Sequence, residues 1–112
     1  MTHVPRPLPD ALIELVSYRL QLLGQPLRIR VLDHLESHGV INVQDLADAV
    51  GGTQQNVSRA LGLLAGAGVV TRRPEGRIVW YRVADPQAFF VIHGTAARVV
   101  EQLHQVERGD DR

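Results

Sequence analysis

The sequence predicts a mostly α-helical domain with one small β-hairpin, in the order α-α-α-α-β-β-α, and two stretches predict it. From Gln44 to Arg59 runs a short amphipathic helix, a Gly51-Gly52 turn, and a second helix whose polar face carries Arg59. From Gly68 to Arg82 run two short strands joined by Pro74-Glu75-Gly76-Arg77, rich in Arg. A helix-turn-helix followed by a basic hairpin is a winged helix-turn-helix. That architecture carries an expected function, duplex DNA binding, and an expected docking geometry.

Each element has its own signal. Leu12, Leu15, Val16, Leu20, Leu22 and Leu23 make a helical stripe that starts after Pro9, with Asp10 as the expected N-cap. Gly24-Gln25 breaks it, and Pro26 opens a second helix carrying Leu27, Ile29, Val31, Leu32 and Leu35. That helix is expected to end at His38-Gly39. Val40-Ile41 reads as a short extended segment. Asn42 caps a third helix with Val43, Leu46, Ala47 and Val50 inward, and Thr53 caps a fourth that buries Val57, Leu61 and Leu64. In the hairpin, Val79, Tyr81 and Val83 alternate with Ile78, Trp80 and Arg82, so one face is packed. Asp85-Pro86 starts a last helix that runs to about Glu107. The domain is therefore expected over residues 10–107, between flexible tails at 1–9, rich in Pro, and 108–112, rich in charge.

Composition bounds the rest. The 112 residues suit one domain with a modest core. No apolar run approaches membrane-spanning length and no signal-like N-terminus is present, so a cytoplasmic protein without membrane partners is expected. The absence of cysteine removes disulfides, thiolate metal sites and thiol switches. Net charge is zero, but its distribution is uneven. Between Thr53 and Ala84, Arg59, Arg72, Arg73, Arg77 and Arg82 face Glu75 alone. No lysine occurs; every fixed cation is Arg, suited to bidentate phosphate and guanine contacts.

The fourth helix is the expected reader of DNA. Thr53, Gln54, Gln55 and Asn56 open it, and Ser58 and Arg59 follow one turn on. Amide side chains bond adenine edges bidentately and Arg does so to guanine. Thr53 and the first-turn amides offer a second role, holding a phosphate. Arg72, Arg73 and Arg77 at the hairpin suit backbone or minor-groove contact. The competing account is a solvated helix face and a solubilising turn; the glycine turn before and the basic hairpin after favour DNA.

A second constellation is His93, His104 and Glu107 on the last helix. Positions eleven and fourteen apart return to nearly one helix face. At a rise of about 1.5 Å per residue, His93 and His104 lie about 16 Å apart. Metal–nitrogen bonds are about 2.1 Å, so the pair cannot share an ion within one chain. Two antiparallel copies of the helix would bring His93 of one beside His104 and Glu107 of the other, twice per dyad. The competing account is an inert exposed face. His34 and His38, at i and i+4, read as a surface pair with chelating spacing. His3, Asp110 and Asp111 are candidate extra ligands in the tails. No nucleotide loop, nucleophile elbow or zinc-protease motif occurs, so an enzyme is not expected.

The chain resembles the ArsR/SmtB family of bacterial winged-helix repressors. The resemblance covers roughly Leu15 to Glu107. It rests on Leu23 to Leu32, on Asp45-Leu46-Ala47, on Val57 to Leu61, and on Ala67 to Val70 followed by Gly76 to Tyr81. It implies a homodimer built through the first and last helices, repressing from operator DNA until an effector binds. Many members of the family sense metal through Asp-x-His, ten residues, then His-x-x-Glu or His on the last helix. That pattern falls on Val91, His93, His104 and Glu107, with Val91 in place of the aspartate. The family's cysteine site at the third helix is absent from Ile41-Asn42-Val43, and Ala60 stands where a histidine is frequent. The implied effector is nickel, cobalt or zinc. The alternatives are a decayed site that answers to a protein co-regulator, a small molecule or nothing, and a pure interaction module using the same helices.

Overall fold

The computed structural model describes residues 2–109. The chain forms α1 (Asp10–Leu23), α2 (Pro26–His38), β1 (Ile41–Asn42), α3 (Val43–Val50), α4 (Gln54–Gly66), β2 (Val70–Glu75), β3 (Ile78–Val83) and α5 (Pro86–Glu107). The expected helix order holds.

Local chemistry sets most boundaries. Asp10 does not cap α1, as the sequence had suggested. Pro9 is the cap residue and makes no side-chain bond, and Asp10 sits in the first turn, where its charge faces the positive end of the dipole. Pro26 fills the first position of α2, and the Gln25 side chain accepts the Arg28 amide at 3.0 Å. Asn42 caps α3 reciprocally: its Oδ1 accepts the Asp45 amide at 2.9 Å, and its Nδ2 donates to the Asp45 carboxylate at 3.0 Å. Gly51 ends α3 in the left-handed region at φ 72°, which a side chain would strain.

The sheet has three strands rather than a lone hairpin. Its order is β1-β3-β2, all antiparallel, with Ile41 opposite Tyr81 and Asn42 opposite Trp80. Pro74 and Glu75, expected in the turn, belong to β2 and pair with Val79 and Ile78. Gly76 at φ 64°, followed by Arg77 at negative φ, makes the whole loop, the pattern of a type II′ turn. Pro74 is tolerated because β2 is an edge strand.

The core is built by α2, α3, α4 and the sheet. Val31, Leu32, Leu35, Leu46, Val57, Leu61, Leu64 and Val69 are almost completely buried, with Tyr81 closing the sheet side. By contrast α1 adds only Leu22 and Leu23, and α5 only Ala88. Leu12, Phe89 and Ile92 are half-buried, and the other apolar side chains of α1 and α5 stay exposed, Leu15 at 68% and Val106 at 72%.

Candidate functional site

Helix α4 is amphipathic in the way a reading helix requires. Val57, Ala60, Leu61 and Leu64 pin one face to the core. Thr53, Gln54, Gln55, Asn56, Ser58 and Arg59 are all exposed on the rest of its first half. Thr53 is the N-cap: its Oγ1 accepts the Asn56 amide at 3.1 Å, and its carbonyl accepts the Val57 amide. The Asn56 amide is therefore taken by the cap and cannot serve a phosphate. Gln54 and Gln55 keep the first-turn amides that have no intrahelical acceptor. Ala60 points into the core at 5% exposure, so its methyl is a packing group.

The three arginines of the wing do not act as one cluster. Arg72 pairs with Tyr81 on the sheet face that continues from buried Val70. Arg73 pairs with Trp80 on the opposite face, where its guanidinium lies 3.7 Å from the Glu75 carboxylate. Arg77 occupies the tip. There it lines a cleft of about 290 Å³ together with Asn42, Gln44, Asp45 and Gln54. The wing tip and the first residue of α4 thus border one surface depression.

On α5, His93 and His104 are both exposed, eleven residues apart. His93 faces α2: its Nε2 lies 3.2 Å from Asp33 Oδ1. Its ring stacks on Phe89 with centroids 4.0 Å apart. Among the described residues, no group of three His, Cys, Asp or Glu side chains comes together within one protomer. Glu107 is exposed at the last residue of α5, and His3 is exposed before α1. Asp110 and Asp111 lie outside the described residues. His34 and His38 stack with centroids 3.8 Å apart, and His38 Nδ1 contacts the His34 carbonyl oxygen at 3.1 Å. Lone pairs in two nearly parallel ring planes do not converge, so this pair is not a chelate in this arrangement.

Val91 lines an apolar groove of about 440 Å³ with Leu20, Leu23, Ile29, Val99 and Val100. Two features were not visible in the sequence. Asp33 sits sixty residues from His93, and only the packing of α2 beside α5 unites them. Arg19 reaches from α1 to the Ala67 carbonyl oxygen at 3.0 Å and to the Asp85 carboxylate. None of the described helices is long and apolar enough to cross a membrane.

A helix-turn-helix domain family matches residues 23–73. The HTH-type transcriptional repressor SmtB of Mycobacterium tuberculosis is 34% identical over 98 residues, covering 87% of this chain and 71% of that protein. The crystal structure of the AntR antimony-specific transcriptional repressor superposes with a TM-score of 0.78 at 28% identity, covering 90% of each chain. A homodimeric winged helix-turn-helix DNA-binding domain from Mycobacterium bovis superposes with a TM-score of 0.73 at 26% identity, covering 90% of this chain and 95% of that one. With its capped reading helix, its three-stranded wing and these relatives, the chain belongs to the ArsR/SmtB family of winged helix-turn-helix transcriptional repressors, regulators rather than enzymes.

Proposed function

We propose that this protein is a homodimeric repressor that reads a pseudo-palindromic operator with α4 and the wing and is controlled by nickel, cobalt or zinc at α5. The observation that carries the DNA reading is the cleft shared by Gln54 and Arg77, because it brings the first residue of α4 and the wing tip to one surface depression that a single stretch of duplex could meet. Gln54, Gln55, Asn56, Ser58 and Arg59 take base edges, while Thr53, Arg72, Arg73 and Arg77 take backbone. Glu75 partly offsets Arg73, so Arg77 is the stronger phosphate contact.

This assignment is tested on selected and scrambled duplexes. Arg59→Ala should cost about 1–3 kcal/mol on the selected site and relax one base position. Arg77→Ala should weaken binding to all duplexes and reduce the salt slope by about 1. Unchanged affinity in both variants would remove the assignment.

The α5 donors are imidazole and carboxylate in a chain without thiols, which suits nickel, cobalt or zinc. The antimony-specific relative supports effector sensing in this fold. His93 of one protomer with His104 and Glu107 of the other would hold two ions per dimer. A bound ion would supply a positive charge that His93, His104 and Glu107 hold between the two α5 helices. Affinity should fall on acidification, because a ligating imidazole must be neutral. Titration calorimetry with each metal should show binding that His93→Ala and His104→Ala abolish. A second reading is favoured by Val91, which faces an apolar groove rather than supplying a carboxylate. If no metal binds, the groove suits a small apolar effector instead.

A further inference from the structure

The metal pattern on α5 is one carboxylate short at Val91, and the fold brings another carboxylate to the same histidine. We infer that Asp33 of α2 is a direct metal ligand, forming with His93 the half-site that each protomer contributes. This rests on the α5 metal reading and extends it to a second helix.

Three observations carry it. First, the separation fits. Two donors bonded to one ion at about 2.1 Å lie roughly 3.0 Å apart at a right angle and roughly 3.4 Å apart at the tetrahedral angle. His93 Nε2 and Asp33 Oδ1 are 3.2 Å apart, between those limits. Second, both groups are held. Phe89 clamps the imidazole face at 4.0 Å, and Asp33 rides on a helix whose Val31, Leu32 and Leu35 are locked in the core. Third, both donors are accessible, with 48% of the His93 side chain and 63% of the Asp33 side chain exposed. Among the described residues Asp33 has no other ionic partner. In the metal-free protein His93 Nε2 and Asp33 Oδ1 lie within hydrogen-bond distance of each other. An ion held there would need the Nε2 lone pair, with the ring hydrogen on Nδ1, so that Nε2 and the Asp33 carboxylate both face it as donors of electron pairs. Two such donors hold an ion weakly until the partner's His104 and Glu107 complete the set, so tight binding belongs to the dimer.

The assignment also gives the ion a route to the reading head. Asp33 lies on α2, whose Val31 and Leu35 share the core with Leu46 of α3 and Val57 and Leu61 of α4. An ion that grips α2 of one protomer and α5 of the other joins the recognition unit to the opposite subunit.

The test uses the full-length dimer with nickel, cobalt and zinc salts, in wild type, Asp33→Ala, Asp33→Asn and His93→Ala. Calorimetry gives affinity, and the visible bands of bound cobalt give the ligand set. Loss of a carboxylate that only orients a ligating histidine costs about 10–100-fold in affinity. Loss of a direct ligand should exceed about 100-fold and alter the cobalt bands, and Asp33→Asn should not restore binding. Wild-type affinity in Asp33→Asn, or unchanged cobalt bands in Asp33→Ala, would overturn the inference. If wild type binds and His93→Ala does not, while Asp33→Ala binds normally, this inference fails and the α5 reading stands. If wild type binds no metal, both fail. Operator affinity of each metal-free variant reports folding, and the near-isosteric Asp33→Asn keeps the test decisive if Asp33→Ala is unstable.

Discussion

One guanidinium holds three elements together. Arg19 of α1 donates from Nη1 to the Ala67 carbonyl oxygen at the end of α4, and its Nη2 meets the Asp85 carboxylate. The other Asp85 oxygen accepts the Gln87 amide at 3.0 Å and so caps α5. α1, the far end of α4 and the start of α5 therefore meet at one ion pair. The pair is about one-third exposed, so screening reduces its worth. Arg19→Met should lower stability by about 1–2 kcal/mol in a urea titration. Asp85→Ala should cost more, because the cap goes with the ion pair. A double variant no worse than Asp85→Ala alone would show that the two residues act through each other.

At the scale of elements, short-range signals were legible and long-range ones were not. The caps Asn42 and Thr53 were readable because cap and amide lie three residues apart. The inward face of α4 was readable from the spacing of Val57, Leu61 and Leu64. Asp10 misled because Pro9 already supplies the extended cap conformation, leaving the acid one position inside. Pro74 and Glu75 misled because proline usually marks a turn, whereas an edge strand tolerates it and Gly76 makes the reversal. β1 is too short for periodicity, and its partner β3 lies some forty residues on. The exposure of Thr53, Gln54, Gln55, Asn56, Ser58 and Arg59 on α4 followed from the sequence. Asp33 beside His93 did not, since no spacing rule links residues sixty apart.

The whole molecule leaves apolar side chains of α1 and α5 uncovered. Leu15 and Leu20 on α1 and Val99, Val100, Leu103 and Val106 on α5 are all exposed, and Leu20, Val99 and Val100 line the groove with Ile29 and Val91. A second copy is the expected cover, as in the homodimeric relative. Sedimentation should show a dimer at micromolar concentration, and Leu15→Glu with Leu103→Glu should shift it to monomer with weaker operator binding. A wild-type monomer at that concentration would contradict this and remove any site shared between subunits.

Asn42 is both the strand residue opposite Trp80 and the cap of α3. The wing cannot swing away from α3 without breaking the β1–β3 pairing at the residue that caps that helix. In the proposed dimer each subunit would act as the rigid jaw of a caliper, and an effector would change how wide the caliper opens. Recognition within a half-site and control of the full site become separable properties. A duplex with a single half-site should bind equally well with and without effector in an anisotropy titration. On the full operator, adding or removing one base pair between half-sites should reproduce part of what the effector does. Sequence changes in such an operator's arms would then tune how tightly the protein holds, and changes in its spacer would tune how readily it lets go.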